Sequence, residues 1–136
     1  MTMLKNNLPD FIVIDDDPIN NLICHKIIQL TIPGSVIYTF TEPQDGLDHI
    51  QSNYPGNDGK KAILFLDINM PVSGWEVLEM FEKFPDSIKE QVKIFMLSSS
   101  VNPHDKEKAS ANAHVTGYIS KSLSQEKLQA LFPQFL

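Results

Sequence analysis

The chain has 136 residues, of which 42% are hydrophobic and 21% charged, and this composition is typical of one globular domain with a real core. Its net charge of −6 argues against direct binding to nucleic acid, because phosphate backbones attract basic surfaces. The single cysteine, Cys24, excludes an intrachain disulfide and a thiolate metal cage, so we interpret it as small core filler. No signal peptide and no apolar run of about 20 residues is apparent, so we expect a cytoplasmic protein without membrane insertion.

Apolar runs alternate with helical patterns along the chain, and this alternation predicts βα units on a parallel sheet. The predicted strands are residues 11–14, 35–40, 62–66, 92–97 and 114–120. The third run, AILFL, is the most apolar and indicates a strand buried on both faces. Because there is no repeat and no linker long enough to separate a second domain, we predict one domain over residues 1–136, with a core from 10 to 133.

The first helix should begin at Asp17-Pro18, with the aspartate as N-cap and the proline as first helical residue. It should end at Pro33-Gly34. Its large apolar residues recur at helical spacing and are expected to face the core: Ile19, Leu22, Ile23, Ile27 and Leu30.

Two capping boxes predict the next two helices. Thr41 with Gln44 should begin a helix that runs to about Gln51, and Ser73 with Glu76 should begin the third. The third helix should bury its apolar side chains, which are Val77, Leu78, Phe81 and Phe84.

The last two helices follow the fourth and fifth strands. Asn102-Pro103 should begin a fourth helix with few large apolar groups, which makes it a candidate mobile element or simply a solvated one. Ser122 or Ser124 should cap a fifth helix. The residues of this fifth segment expected to face inward are Leu128, Leu131 and Phe132.

Carboxylates follow two of the predicted strands. Asp67 ends the third run, and Asp15 and Asp16 follow the first, where Asp17 alone would suffice as a helix cap. Since parallel strands place their carboxyl ends at one edge of the sheet, these groups should meet there and form a site for a hard cation such as Mg²⁺.

Ser98 and Lys121 follow the fourth and fifth strands and should reach the same edge of the sheet. A lysine supplies a compact positive charge for phosphoryl oxygens, and a hydroxyl can hydrogen-bond to them. Together with the carboxylates, this set suits phosphoryl transfer.

Four segments resemble, in order and spacing, the receiver domains of two-component response regulators of the single-domain, chemotaxis type. They are FIVIDDDPIN, ILFLDINMPVSGWEVL, IFMLSSS and GYISKSL, and the resemblance spans residues 11–132. It implies a flavodoxin-like α/β fold: a doubly wound (βα)5 arrangement with a five-stranded parallel sheet in the order 2-1-3-4-5 and helices on both faces.

The resemblance also implies a role for each site residue. Asp67 would be the phosphoacceptor. Asp15 and Asp16 would bind Mg²⁺ together with Asp67, and Asn69 would contribute its backbone carbonyl to the metal.

Three further positions match the family's pattern. Ser98 takes the place of the hydroxyl that moves to the phosphoryl group, Lys121 that of the active-site lysine, and Tyr118 that of the aromatic residue that rotates with the switch. In the family the residue after this lysine is usually a proline, and the peptide bond between the two is cis. Here the residue after the lysine is Ser122. Because a cis peptide before a non-proline residue costs about 2.5–4 kcal/mol, we expect a trans bond and a lysine that still reaches Asp67.

By this resemblance the chain would accept a phosphoryl group from a histidine kinase or phosphotransfer protein and signal to an unknown protein through a changed surface. It would catalyse only its own phosphorylation and dephosphorylation, as a monomer or a weak phosphorylation-dependent dimer.

An alternative is a Mg²⁺-dependent phosphohydrolase with an aspartyl-phosphate intermediate. Such enzymes usually carry an acid/base carboxylate where this chain has Asn69. Flavin or nucleotide binding is a third alternative, but the acidic DDDPIN segment would repel phosphate unless a metal intervened.

Overall fold

Five parallel strands form one sheet in the order β2-β1-β3-β4-β5 in a computed structural model, which describes residues 8–55, 60–99 and 102–135. The strands are β1 (Asp10–Ile14), β2 (Ile37–Phe40), β3 (Ala62–Asp67), β4 (Val92–Ser98) and β5 (Val115–Ser120). All four neighbouring pairs are parallel. The predicted doubly wound, flavodoxin-like fold is therefore confirmed.

The helices lie on both faces of the sheet. They are α1 (Pro18–Thr31), α2 (Pro43–Asn53), α3 (Gly74–Glu82), α4 (Asp86–Lys89), α5 (Pro103–Ala111) and α6 (Gln125–Leu131), followed by a 3-10 turn at Pro133–Phe135. Helices α1 and α6 contribute to one core cluster, and α2 to α5 contribute to the other. The short α4 and the final 3-10 turn are elements that the sequence patterns did not predict.

The two cores meet at the central strands, because β1 and β3 are buried along their whole length. Alternate residues of β1 enter opposite cores: Ile12 and Ile14 pack with α2 and α3, whereas Phe11 and Val13 pack with α1 and α6. Because both faces are covered, only the ends of β1 and β3 can meet a ligand, and ligands of parallel α/β sheets lie at the carboxyl ends.

The prediction of the buried face of α1 is wrong for four of its five residues; the fifth, Ile27, is half-buried and packs against the core cluster of α1 and α6. Ile19, Leu22 and Leu30 are 68%, 58% and 66% exposed, and Ile23 is also exposed. The buried residues are instead Asn20, Asn21, Cys24, Ile28 and Thr31. The helix carries more apolar residues than one face can hold, and the two buried asparagines bind polar groups at the sheet edge, so periodicity alone selected the wrong side.

Most predicted helix caps are confirmed: Asp17, Ser73, Asn102 and Ser124 each accept a hydrogen bond from the backbone of their helix. The capping box at Thr41 and Gln44 is wrong, because Pro43 occupies the first helical position and makes Glu42 the N-cap. Gln44 instead donates to the Asp48 carboxylate at 2.9 Å.

Of the side chains predicted to face inward on the later helices, Val77, Leu78, Phe81, Leu128 and Phe132 are buried. Phe84 is half-buried and packs against the core. Leu131 is 36% exposed, so its predicted burial is wrong. It is the last residue of α6, and the 3-10 turn begins two residues later.

Candidate functional site

Asp67 ends β3, the middle strand of the sheet, and its side chain is almost completely buried. Strands β1 and β4 flank it, so its carboxylate lies where the helices of the two faces diverge. Gly74, the first residue of α3, packs directly on this strand end: a Cβ there would lie 2.5 Å from the Asp67 carbonyl oxygen. Any larger residue at position 74 would therefore displace the loop that follows Asp67.

Three carboxylates converge at this point, as the strand-end pattern predicts. Asp15, Asp16 and Asp67 each offer an oxygen, and these oxygens all lie within 4.8 Å of one another. Asp15 is fully buried, whereas Asp16 is exposed and faces the solvent side of the cluster. Oxygens at this spacing can share one small cation.

Lys121 reaches the cluster from the end of β5. Its ammonium lies 2.8 Å from Asp15 Oδ2 and 3.1 Å from Asp67 Oδ1, so it bridges two carboxylates that come from different strands. Burial alone would lower the pKa of Lys121, but the hydrogen bonds and charges of Asp15 and Asp67 outweigh burial and raise it. The lysine therefore remains positively charged.

The Asp67 carboxyl has a raised pKa. Burial is the largest cause and the charge of Asp15 adds to it, while Lys121 and the backbone N–H of Asn69 act in the opposite direction. The surroundings of Asp67 therefore disfavour its negative charge. The single positive charge of Lys121 does not balance the three carboxylates of the cluster. The donor set and the excess of negative charge fit a divalent cation with oxygen ligands.

The remaining predicted residues lie around Asp67. The Asn69 backbone N–H donates to Asp67 Oδ1 at 3.3 Å, and its side-chain amide donates to Ser98 Oγ at 3.4 Å. Ser98 ends β4 and is fully buried. Tyr118 is half-buried in β5 opposite Met96 and packs against the core cluster of α2 to α5. The structure thus brings Ser98, Asn69 and Lys121 to the carboxylates, whereas Tyr118 lies three residues before Lys121 within β5.

The Lys121–Ser122 peptide is cis, so the predicted trans bond is wrong. The groups on both sides of this bond are held by hydrogen bonds. The Lys121 N–H donates to the Ser98 carbonyl at 2.9 Å, and the Lys127 ammonium donates to the carbonyls of Ser120 and Ser122. None of these contacts involves a proline, so the identity of the residue after Lys121 did not reveal the geometry. The prediction that Lys121 reaches Asp67 is confirmed.

Sequence reasoning missed two buried asparagines in the first turns of α1. Asn20 donates to Asp15 Oδ2 at 2.6 Å. Asn21 donates to the backbone carbonyls of Asp15 and Phe40, and so links the ends of β1 and β2. One signal was present in the sequence: asparagine is a poor residue for a helix interior, so two in succession indicate side-chain hydrogen bonds outside the helix.

The family of the chain follows from a match over residues 11–132 to the model of the response regulator receiver domain. The chain belongs to this family, whose members are phosphoacceptor domains of two-component signal transduction. The acidic cluster of Asp15, Asp16 and Asp67 fits such a site. This match confirms the predicted function, and the phosphohydrolase alternative finds no support.

Solved structures agree with this assignment. The chain is similar to a two-component response regulator from Cytophaga hutchinsonii (30% identity, TM-score 0.83, covering 95% of this chain and 97% of that one). It is similar to a response regulator receiver protein from Dyadobacter fermentans (27% identity, TM-score 0.83, covering 94% and 98%). A chemotaxis protein from Vibrio cholerae shares the fold, with 22% identity, a TM-score of 0.69 and coverage of 95% and 99%. Comparison with curated protein sequences gives no significant match.

The part of the chain that the structure describes has no helix with the length and apolar character needed to cross a bilayer.

Proposed function

We propose that Asp67 is the phosphoacceptor and that it takes its phosphoryl group from a histidine kinase or a histidine phosphotransfer protein. The observation that carries this proposal is the buried Asp67 carboxylate, which lies with Lys121 at 3.1 Å and with two further carboxylates within 4.8 Å. Asp15 is buried beside it, but its carboxylate already accepts hydrogen bonds from the Asp17 backbone, Asn20 and Lys121.

In the proposed reaction an oxygen of Asp67 attacks the phosphorus of a phosphohistidine. The new O–P bond forms as the P–N bond breaks, and the electron pair of that bond returns to the donor imidazole. Lys121 stabilises the phosphoryl oxygens, because its ammonium already lies within hydrogen-bonding distance of the Asp67 carboxylate. Hydrolysis of the acyl phosphate later returns Asp67 to its free state, so the chain catalyses only its own phosphorylation and dephosphorylation.

Mg²⁺ is the proposed metal. Asp15, Asp16 and Asp67 would hold it with the backbone carbonyl of Asn69, and bound Mg²⁺ supplies charge neutralisation for the transferring group. The exposed position of Asp16 supports this arrangement, because a cation can enter from its side of the cluster.

The proposed output is a change in the surface around α5 and β5. A phosphoryl group brings up to about two negative charges and three acceptor oxygens, which would draw the Ser98 hydroxyl towards it and let Tyr118 follow. Two features of helix α5 support this proposal. Ala109 is its one buried residue, so few core contacts hold the helix in place. Its Lys108 ammonium lies 4.8 Å from the centroid of the Trp75 ring, so α5 also contacts the helix that follows Asp67. Amide NMR spectra with and without beryllofluoride test this step: we expect shifts across α5 and β5, and near-identical spectra would refute it.

The donor protein is proposed to dock on the exposed apolar residues of α1. Ile19, Leu22 and Ile23 lie within the first two turns of this helix, whose N-cap, Asp17, follows directly after Asp16. A macromolecular donor that reaches Asp67 must cover this part of α1, and apolar contacts there would orient it.

The downstream partner is a protein as well, since the net charge of −6 disfavours nucleic acid. We propose a cytoplasmic location, one domain with a core over residues 10–133, and a monomer or weak phosphorylation-dependent dimer.

The test of the acceptor uses Mg²⁺ and acetyl phosphate, with intact mass as the readout. Wild type should gain one phosphoryl group that hydroxylamine removes, and Asp67→Asn should gain none. Asp86→Asn is the matched control, because its carboxylate is exposed and lies outside the cluster. Undiminished labelling of Asp67→Asn would disprove the assignment.

A further inference from the structure

Asn20 is a buried polar residue that contacts the acidic site without belonging to the predicted set of site residues. It is the third residue of α1 and is 8% exposed. Its amide nitrogen lies 2.6 Å from Asp15 Oδ2, and the same nitrogen makes a long contact of 3.8 Å to Cys24 Sγ. The amide is therefore directed at a carboxylate of the site, and its contact with the Cys24 sulfur is much longer.

Asp15 accepts three donors with different chemistry. The Asp17 backbone N–H donates to Oδ1 at 2.9 Å, while Asn20 and Lys121 both donate to Oδ2. Two of the three donors are neutral and belong to the same short segment as Asp15. The third, Lys121, is charged, comes from β5 and is shared with Asp67.

This difference determines what each donor can do when the site is used. A lysine cancels the charge of the carboxylate that it contacts, and Lys121 has a second partner in Asp67 to which it can turn. An amide satisfies a carboxylate oxygen but leaves its charge, and Asn20 is fixed by the first turn of α1. When Lys121 turns to a phosphoryl group on Asp67, Asn20 is the donor that still binds Asp15 Oδ2.

We propose that Asn20 is a positioning residue that keeps the Asp15 carboxylate oriented for the divalent cation. The inference rests on the proposed function, since it assigns Asn20 a part in the metal site of the phosphoacceptor. Its neighbour Asn21 provides a contrast within the same helix turn. Asn21 is equally buried, but its amide binds the backbone carbonyls of Asp15 and Phe40 and contacts no carboxylate.

The experiment measures Mg²⁺ binding by isothermal titration calorimetry without a phosphodonor, so the readout is independent of phosphorylation. Groups that orient metal ligands typically change metal affinity by 10–100-fold, so we expect Asn20→Ala to weaken binding by about tenfold. Labelling by acetyl phosphate should return to within about twofold of wild type at saturating Mg²⁺, because the acceptor and the lysine are unchanged.

Asn21→Ala is the matched control. It removes two buried hydrogen bonds and should lower the melting temperature, yet leave the Mg²⁺ dissociation constant within about twofold of wild type. An equal loss of affinity in Asn20→Ala and Asn21→Ala would overturn the proposal, because it would show that general loosening of α1 is the cause. Unchanged affinity in Asn20→Ala would overturn it too. If the alanine variant does not fold, Asn20→Leu tests the same donor with an apolar side chain of similar length.

A double-mutant cycle then shows whether Asn20 acts through Asp15. In an Asp15→Asn background, Asn20→Ala should cause less than about a twofold further change in Mg²⁺ affinity, because the carboxylate that it positions is gone. Independent, additive effects would contradict the inference. Failure of the proposed function is seen separately, as labelling of Asp67→Asn.

Discussion

The two ends of the sheet hold the same kinds of group in different proportions. At the amino end the Asp10 carboxylate begins β1, accepts a hydrogen bond from the Tyr54 hydroxyl and pairs with the Lys60 ammonium at 3.0 Å. One buried acid there meets one lysine. At the carboxyl end three acids share Lys121, which pairs with two of them.

This difference in charge balance separates a structural carboxylate from a functional one. The charge of a buried acid that pairs with its own lysine is balanced within the fold, so this acid needs no cation from solution. Three acids with one lysine are satisfied only when a cation is added, so the fold alone leaves them repelling one another. Both ends hold buried carboxylates at strand termini, so the surplus of negative charge at the carboxyl end is what marks the site.

The largest expected effect that tests this contrast is on the metal. Asp16→Asn should weaken Mg²⁺ binding by at least about tenfold, because a direct ligand should matter no less than the residues that only orient ligands. Isothermal titration calorimetry measures the affinity, and Asp10→Asn serves as the control because it changes the same chemistry at the balanced end. Equal Mg²⁺ affinity of Asp16→Asn and wild type would show that Asp16 is not a ligand.

The same two variants should rank in the opposite order for stability without metal. Asp10→Asn keeps the hydrogen bond from Tyr54 but loses the charge that faces Lys60, and we expect it to cost about 1–3 kcal/mol of unfolding free energy. Asp16→Asn removes one of three repelling carboxylates from an exposed position, so its stability should be unchanged or higher. Urea denaturation in a chelating buffer measures both. Equal destabilisation would remove the distinction between the two ends.

The contrast also explains which parts of the site the sequence could reveal. Asp67, Asp15 and Asp16 were predictable, since each directly follows an apolar strand and strand ends of a parallel sheet meet at one edge. Lys121 and Ser98 followed from the same rule. The asparagine pair indicated hydrogen bonds outside the helix, but the partner of Asn20 was not predictable, because it depends on which side of α1 faces the sheet.

The error in the buried face of α1 has the same origin. The apolar periodicity of α1 is real, but it describes the exposed side of the helix, where Ile19, Leu22 and Leu30 lie. A sequence pattern reports that a face is apolar and cannot report what covers it. At α1 the core contact is made by Cys24 and Ile28, and polar side chains occupy the positions next to the site. Local pattern thus predicted the strand-end residues of the site but not the face of α1 that lies beside them.

The smallest expected effect concerns His49, which lies beside the balanced end. Its ring packs against Tyr38, Phe40 and Tyr54 with centroids 4.2, 5.4 and 6.4 Å away. The Asn53 amide nitrogen lies 3.2 Å from Nδ1 and can only donate, so Nδ1 accepts. Among the described residues, the buried Nε2 has no hydrogen-bond partner. These surroundings favour the neutral ring.

Burial lowers the pKa of His49, and the Asp10 charge opposes that effect only in part. Near pH 6 the unfolded chain therefore binds more protons at this residue than the folded chain does, so folding stability falls as the pH drops through the ordinary histidine range near 6.5. The ring is partly exposed and water screens its charge, so we expect this contribution to be less than about 1 kcal/mol. Urea midpoints between pH 7.5 and 5.5 should fall less steeply in His49→Gln than in wild type. His104→Gln, on the exposed surface of α5, is the control. If the slopes of wild type and His49→Gln coincide, the aromatic surroundings of His49 do not disfavour its charged form.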